Sequence, residues 1–204
     1  MEELGALSSL GFLDVVGNNL RGSLVELPAS LTYLDVEANN LSGSPFSSLL
    51  RLSNLQSLRI SSNSFTGEIP TEIGELTELQ ELWFANNRFT GAQLPTEIGN
   101  LSNLQTLFIY NSRIGGTIPS EIGELDLIEF LGNNNNLKGE IPDEFWNNER
   151  MTLLRLDSNQ LTGTISTRIG NLVGLTDLFL AFNKLEGKLV CIDLSGYIEM
   201  ACVQ

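Results

Sequence analysis

One pattern recurs along almost the whole chain and limits what the chain can fold into. It reads L-x-x-L-x-L-x-x-N-x-L-x-G-x-I-P, and its first position falls at residues 10, 31, 55, 79, 104, 127, 151 and 175, which lie 21 to 25 residues apart. A period of this length is typical of stacked structural repeats, because one repeat is too short to bury its own apolar side chains. We therefore expect an array of about eight repeats over residues 1–190.

Each repeat contains a short stretch in which apolar and polar residues alternate. In the third repeat, Leu58 and Ile60 alternate with Ser57 and Arg59. A period of two places the apolar pair on one face of a strand and the other residues on the opposite face. One strand per repeat is therefore predicted, with the variable residues facing outward. Gly132 is the one exception to the rule that the inward positions are apolar.

A polar residue follows each strand, and a glycine follows four residues later. A carboxamide that turns inward can satisfy backbone groups where the chain leaves the sheet, so we expect the polar residues to form a structural ladder. Glycine in every repeat indicates a backbone angle or a close approach that a Cβ would prevent. The polar residue is Ser112 in one repeat and asparagine in the others, at Asn18, Asn39, Asn63, Asn87, Asn135, Asn159 and Asn183.

Charge and composition argue against several classes of protein. The chain has 25 Asp and Glu against 11 Lys and Arg, and a polyanion repels nucleic acids and acidic membrane surfaces. It has no histidine, which removes the usual general base and the commonest transition-metal ligand. No stretch approaches the ~20 apolar residues that span a bilayer. We expect no nucleic-acid partner, no direct membrane insertion, no cofactor, no metal and no catalytic activity; an enzyme would need paired carboxylates or a Ser/Lys site.

Two half-repeats carry a family resemblance. Residues 67–76, GEIPTEIGEL, and residues 116–125, GTIPSEIGEL, resemble the G-x-I-P-x-x-I-G-x-L segment of plant-type leucine-rich-repeat proteins. That family includes receptor-like kinase ectodomains and secreted plant and algal proteins. The resemblance implies an α/β leucine-rich-repeat solenoid, a right-handed superhelix with a parallel sheet on its concave face and mostly 3-10 turns and short strands on its other sides. It also implies a recognition scaffold that binds a protein, peptide or other ligand on the concave face, outside the cell.

Some segments depart from the family pattern or extend it. The first two repeats lack Ile-Pro, Gln93 is an extra residue in the fourth and Ser166 replaces proline in the seventh, so these repeats are expected to lack a flanking second strand. Residues 191–204 resemble the cysteine-paired C-terminal caps of secreted relatives, which implies a disulfide between Cys191 and Cys202. Two reduced thiols are the alternative. No cysteine-paired cap precedes Leu10, and we expect the chain to be part of a longer protein.

The outward strand positions form the candidate ligand-binding face. Trp83, Phe108, Tyr110 and Leu131 are expected to form a solvent-facing apolar band, and exposed aromatic patches often mark binding sites. The alternative is that aromatic residues are there because they favour strands. The full candidate set is Asp14, Asp35, Glu37, Arg59, Glu81, Trp83, Phe108, Tyr110, Leu131, Arg155, Asp157 and Phe179.

Two further features bear on location. Asn40 and Asn100 each begin an N-x-S sequon for N-glycosylation. A chain this rich in Asn and Ser is expected to contain that number of sequons by chance, so they are no evidence for secretion. We expect a monomer that binds a protein or peptide ligand in an extracellular or cell-surface location. The alternative is an intracellular (cytoplasmic) interaction scaffold with reduced cysteines.

Overall fold

Eight parallel strands between residues 12 and 179 form one sheet, here called the main sheet. The computed structural model describes residues 4–89 and 91–188 of the 204-residue chain. Strands lie side by side in chain order and pair in register, so that Leu34 is beside Leu58 and Leu58 is beside Leu82. The predicted strands are therefore confirmed. Their bounds are Phe12–Asp14, Tyr33–Asp35, Ser57–Arg59, Glu81–Trp83, Thr106–Phe108, Glu129–Leu131, Leu153–Arg155 and Asp177–Phe179.

The inward residues of these strands form one continuous apolar core. Leu58, Ile60, Leu82 and Phe84 are all fully buried, and each lies between the equivalent side chains of the repeats on either side. Burying a side chain of this size stabilises the fold by ~1.5–3 kcal/mol, and the burial is complete only when both neighbouring repeats are present. The core therefore makes the stacked array, and not the single repeat, the stable unit.

Two smaller parallel sheets form where the chain turns away from the main sheet. The expectation that repeats without Ile-Pro lack this second strand was wrong for the first, second and seventh repeats. Pairing uses backbone groups that precede the Ile-Pro position; for example, Asn40 N–H donates to the Leu20 carbonyl at 2.9 Å. The fourth repeat contributes only a single bridge, between Gln93 and Gly115. The flanking strands are Arg21–Gly22, Asn40–Gly43 and Ser64–Phe65 in one sheet, and Gly115–Thr117, Asn136–Gly139 and Gln160–Leu161 in the other.

Short helices complete the coils. Pro70 and Pro95 stand directly before two of them, in extended backbone conformation. The first N–H groups of a helix have no partner within the helix, and proline is favoured there because it has no N–H to leave unpaired. Gly74 packs so closely that a Cβ there would meet the carbonyl oxygen of Glu97 in the next repeat. The segments are 3-10 helices at Leu4–Ala6, Thr71–Glu75, Thr96–Asn100, Asp143–Asn147 and Thr167–Asn171, and α-helical turns at Phe46–Leu49 and Ser120–Gly123.

The polar residue after each strand lies inside the turn and links neighbouring repeats. Asn87 is representative: its Nδ2 donates to the carbonyls of Ile60, Phe84 and Ala85 at 3.0–3.2 Å, and its Oδ1 accepts from Phe65 N–H at 3.0 Å. The same type of contact recurs at Asn39, Asn63, Asn135, Asn159 and Asn183.

The ladder changes at Ser112 and at its N-terminal end. Ser112 Oγ donates to the Phe84 carbonyl at 2.9 Å, and Asn135 Oδ1 accepts from the Ser112 N–H at 3.1 Å. Asn18 is exposed, and its amide donates only to Val15 and Val16 of its own repeat. The inter-repeat role of this position therefore requires a preceding repeat.

Candidate ligand-binding surface

The outward residues of the main sheet align in rows because the strands pair in register. We call the row formed by the third residue of each strand the central row, and the row two residues further along the chain the adjacent row. The central row is Asp14, Asp35, Arg59, Trp83, Phe108, Leu131, Arg155 and Phe179. The adjacent row is Val16, Glu37, Ser61, Ala85, Tyr110, Asn133, Asp157 and Ala181.

Planar side chains stack across the first five strands. The Trp83 and Phe108 rings are 4.6 Å apart at an interplanar angle of 20°, and the Arg59 guanidinium lies 4.0 Å from the centroid of Trp83. Phe12 and Tyr33 stack at 4.2 Å, and Arg59 is 5.5 Å from Tyr33. Because the strands of Arg59 and Phe108 lie on either side of the Trp83 strand, both faces of the indole are covered. The rings therefore present mainly their edges to solvent.

The expected apolar band is present, but its members are only half-exposed. Each of Trp83, Phe108, Tyr110 and Leu131 is partly covered by its neighbours and partly open to solvent. The Trp83 indole N–H is also occupied, since it donates to Thr106 Oγ1 at 2.8 Å. We call these four residues the aromatic band. It offers a contiguous, ordered apolar surface with no free indole donor.

Arg59 is held in place from several sides. Glu81 Oε2 accepts hydrogen bonds from Arg59 Nε at 3.0 Å and Nη2 at 2.8 Å, and from Ser57 Oγ at 2.6 Å. Burial lowers the pKa of Arg59, but the hydrogen bond and charge of Glu81 outweigh it and keep the pKa above its usual value. Arg59 and Glu81 therefore act as a paired support for the stack and leave little free charge for a ligand.

The three acidic residues at the N-terminal end of the surface were all expected to be exposed, but they differ in how far they are buried. Asp35 is only 4% exposed, because its carboxylate accepts from Tyr33 Oη at 3.2 Å and from Glu37 N–H at 3.0 Å and lies 3.8 Å from Arg59 Nη1. Glu37 is half-buried; burial, and then the charge of Asp35, raise its pKa. Asp14 is exposed, as predicted. The Asp35 carboxylate therefore stabilises the fold through these contacts and is not accessible to a ligand.

The C-terminal end of the surface carries a second arginine contact. The Arg155 guanidinium lies 4.6 Å from the centroid of the Phe179 ring, and its Nε is 3.4 Å from Asp157 Oδ1. Phe179 is 42% exposed, the most accessible aromatic residue of the central row. This end therefore combines an exposed ring with a partly neutralised charge pair.

Sequence reasoning assigned Asn133 no special role, although it lies within this surface. Asn133 is 6% exposed, and its Oδ1 is the one buried side-chain polar atom in the described residues that has no hydrogen-bond partner. It lies in the adjacent row between Tyr110 and Asp157. Its neighbours Asn134 and Asn136 are exposed. Residue type alone does not distinguish these three asparagines, so the sequence held no signal for this one.

The remaining sequence candidates lie elsewhere. Asn40 and Asn100 are exposed on the sides away from the main sheet, and Cys191 and Cys202 lie outside the described residues. In residues 4–89 and 91–188 no group of three or more acidic, Cys or His side chains is arranged to hold a metal ion. None of the helices described there has the length and apolar content to cross a membrane.

In-register strands, inward asparagines and short helices that repeat together define a leucine-rich-repeat solenoid. Residues 30–52, 54–76 and 103–125 match the Leucine Rich Repeat family. A segment of 59 residues is 39% identical to Receptor-like protein 39 of Arabidopsis thaliana and covers 29% of this chain and 7% of that protein. The chain therefore contains leucine-rich repeats and folds as a leucine-rich-repeat solenoid similar to plant receptor ectodomains.

Solved structures agree with this assignment. The ectodomain of the Arabidopsis thaliana receptor kinase GASSHO1/SCHENGEN3, in complex with CASPARIAN STRIP INTEGRITY FACTOR 2, has a TM-score of 0.81 and 36% identity over 86% of this chain and 22% of its own. The Arabidopsis receptor kinase HAESA, in complex with the peptide hormone IDA and the co-receptor SERK1, has a TM-score of 0.85 and 34% identity over 92% of this chain and 32% of its own. The chain thus spans less than a third of the length of these relatives.

Proposed function

We propose that this chain is a non-catalytic recognition scaffold that binds a protein or peptide ligand on the outward, concave face of the main sheet. The aromatic band carries the proposal. Three of its residues, Trp83, Phe108 and Leu131, are neighbours in one row, and Tyr110 lies beside them. Aromatic residues dominate the energetics of many protein interfaces because they bury a large area with few rotatable bonds.

The order of the surface supports the same function. Stacking fixes Trp83 between Arg59 and Phe108, and Glu81 fixes Arg59. A surface that is rigid before binding loses less conformational entropy when the ligand arrives, so more of the contact energy appears as affinity. The band is therefore suited to binding and does not need to rearrange first.

The similar structures indicate a ligand class. HAESA is described in complex with a peptide hormone, and RGFR1, at 33% identity and a TM-score of 0.72, is described as a plant peptide hormone receptor in complex with RGF2. Because this chain covers only part of those proteins, a peptide ligand is our proposal for it. An extracellular or cell-surface location and a monomeric state belong to the same proposal.

The test is selection of ligands from a phage-displayed library of random linear peptides. Immobilised wild-type protein should enrich peptides that the Trp83→Ala/Phe108→Ala double variant binds at least about tenfold more weakly, since two central aromatic side chains are removed. Equal binding by the double variant, or no enrichment on the wild type, would contradict the proposal.

Stability needs its own control, because the half-buried rings also stabilise the fold. Loss of an aromatic stack costs ~0.5–1.5 kcal/mol, so the double variant should melt somewhat lower than the wild type. Phe12→Ala removes a similar stack, with Tyr33 at 4.2 Å, outside the aromatic band. It should lower stability while leaving peptide affinity unchanged, which separates binding from folding.

A further inference from the structure

Asn133 combines burial with an unused hydrogen-bonding group. Buried polar atoms in folded proteins are nearly always paired, because an unpaired one retains the full cost of losing water. The backbone of Asn133 is used, since its carbonyl accepts from Asn111 N–H at 3.0 Å and from Asn135 Nδ2 at 3.3 Å. Its side-chain Oδ1 is buried without any partner. The fold therefore uses the main chain of this residue and not its carboxamide oxygen.

Other buried asparagines show what a structural carboxamide looks like in this protein. Asn135 Nδ2 donates to the Ile109 carbonyl at 2.8 Å, and its Oδ1 accepts from Ile114 N–H at 3.0 Å. Asn148 donates to the carbonyls of Leu125 and Leu127 at 3.1 and 2.7 Å, and its Oδ1 accepts a backbone N–H. Each of these amides uses both its donor and its acceptor. Asn133 does not, so a structural role does not account for it.

The position of Asn133 places it at a boundary on the candidate surface. In the adjacent row it lies between Tyr110 and Asp157, which carry a phenol and a carboxylate. Phe108 and Leu131 lie beside it in the central row and belong to the aromatic band. Successive strands of a sheet are ~4.8 Å apart, so in the two neighbouring repeats of Tyr110 and Asn133 polar groups of the adjacent row lie beside apolar residues of the central row.

We infer that the Asn133 carboxamide is a ligand-contacting group that binds the main chain of an extended peptide; this inference rests on the proposed function. A carboxamide offers both a donor and an acceptor, which match the C=O and N–H of one peptide group. The final torsion of an asparagine side chain is broad, so Oδ1 can turn from its buried position toward a ligand.

The geometry also favours a peptide over a carbohydrate. A sugar ring would need an open aromatic face, but the Trp83 ring lies between Arg59 and Phe108, at 4.0 and 4.6 Å. Side chains of an extended peptide alternate between its two sides. When Asn133 holds one peptide group, an apolar side chain next to that group can rest on Leu131 and Phe108. The ligand class is therefore a linear peptide with an apolar residue at that position.

The experiment uses peptides enriched on the wild-type protein and measures their dissociation constants for Asn133→Ala and Asn133→Leu. Both variants should bind at least about tenfold more weakly, the loss expected for removal of a buried hydrogen-bonding pair. Asn136→Ala removes an exposed asparagine from the same segment and should bind like the wild type. Methylating one backbone nitrogen of the peptide should weaken binding to the wild type and have no further effect on Asn133→Ala, which a double-mutant cycle detects.

The outcomes separate the two hypotheses. If the Trp83→Ala/Phe108→Ala variant loses the peptides but Asn133→Ala retains them, the role of Asn133 is overturned and the proposed function stands. If the wild type enriches no linear peptides, or an oligosaccharide array captures it through the same residues, both fail. Thermal midpoints give a check that needs no ligand: Asn133→Leu should keep or raise the midpoint. A drop as large as that of Asn159→Leu would make the Asn133 amide structural and overturn the inference.

Discussion

Replacing Asn159 with alanine is the most direct test of how the repeats are joined. Asn159 Nδ2 donates to the Gly132 carbonyl in the preceding repeat at 2.9 Å and to the Leu156 carbonyl at 3.1 Å, and its Oδ1 accepts from Leu137 N–H at 3.0 Å. Alanine would leave the Leu137 N–H and the Gly132 carbonyl buried without these partners. An unpaired buried group costs ~1–3 kcal/mol, so we expect a loss of about 2–4 kcal/mol in the free energy of unfolding.

The assay is equilibrium urea denaturation followed by circular dichroism, compared at equal denaturant slope. Asn136→Ala is the matched control, because Asn136 is an exposed asparagine at the start of the flanking strand Asn136–Gly139 in the preceding repeat. A second control is Asn18→Ala, which removes the exposed end of the ladder and should cost about 0.5 kcal/mol or less. If Asn159→Ala and Asn136→Ala lose the same stability, the asparagine ladder does not join the repeats.

Asn148 would be an unsuitable control, although its loop position in the sequence suggests a neutral site. It is 5% exposed and donates to the carbonyls of Leu125 and Leu127 at 3.1 and 2.7 Å. Leu125 ends the preceding repeat and Leu127 begins the repeat that Asn148 belongs to, so the amide of Asn148 is a second link between successive coils. Asn148→Ala should therefore destabilise the protein to a degree comparable with Asn159→Ala.

Two further measurements test other parts of the chain. Burial, and then the charge of Asp35, raise the pKa of Glu37, so the fold disfavours the ionised carboxylate. The contribution of Glu37 to the free energy of unfolding is therefore most favourable below the pKa of the unfolded chain, and it declines as the pH rises through the raised pKa of the folded protein. Urea denaturation from pH 4 to 7 should show this decline relative to Glu37→Gln, and identical pH profiles would refute it. The resemblance to cysteine-paired caps predicts that the intact mass rises by two hydrogens only after reduction of Cys191 and Cys202; an unchanged mass would mean free thiols.

The main sheet could be predicted because its signal is repeated and local. Period-two alternation sets which residues face inward, and the same pattern in each repeat sets the register. The exception, Gly132, is explained by packing: a Cβ there would lie 3.1 Å from Leu156 Cδ2 and 3.3 Å from the ring of Phe130. Phe130 is larger than the leucine at the equivalent position of the other repeats, and its ring and Leu156 occupy the space that a side chain at position 132 would take. A compensation between two positions is not visible in either position alone.

The turn before each ladder residue was not predicted, because the residues there do not share a type. The residue before the ladder position has φ between 51° and 68° in every repeat, a left-handed conformation. Glycine and asparagine adopt this conformation readily, but Ala38 and Phe182 adopt it too, because the flanking hydrogen bonds fix the backbone on both sides. The full set is Gly17, Ala38, Ser62, Asn86, Asn111, Asn134, Ser158 and Phe182.

The sequence predicted which residues face outward but not how accessible they are. Asp35 and Asn133 occupy outward positions, yet both are more than nine-tenths buried. Their burial depends on side chains of neighbouring strands, such as the Tyr33 hydroxyl 3.2 Å from Asp35. These contacts follow from rotamers chosen jointly across strands, and the repeat period contains no information about them. Outward direction in a strand is therefore a weaker guide to a binding site than it is to the fold.

Stacking of planar side chains across the first five strands has a consequence for specificity. Each ring or guanidinium from Phe12 to Phe108 covers the face of the next, which stabilises the array and also removes those faces from contact with a ligand. Ring edges are apolar and similar to one another, so they can supply area but discriminate little between ligands. Discrimination then depends on polar groups next to the band, and Asn133 is the one with an unused buried acceptor. Asn133→Ala keeps the stack and changes only this carboxamide. It should therefore change the sequences of the peptides that are selected, while the apolar surface that those peptides bury stays nearly the same.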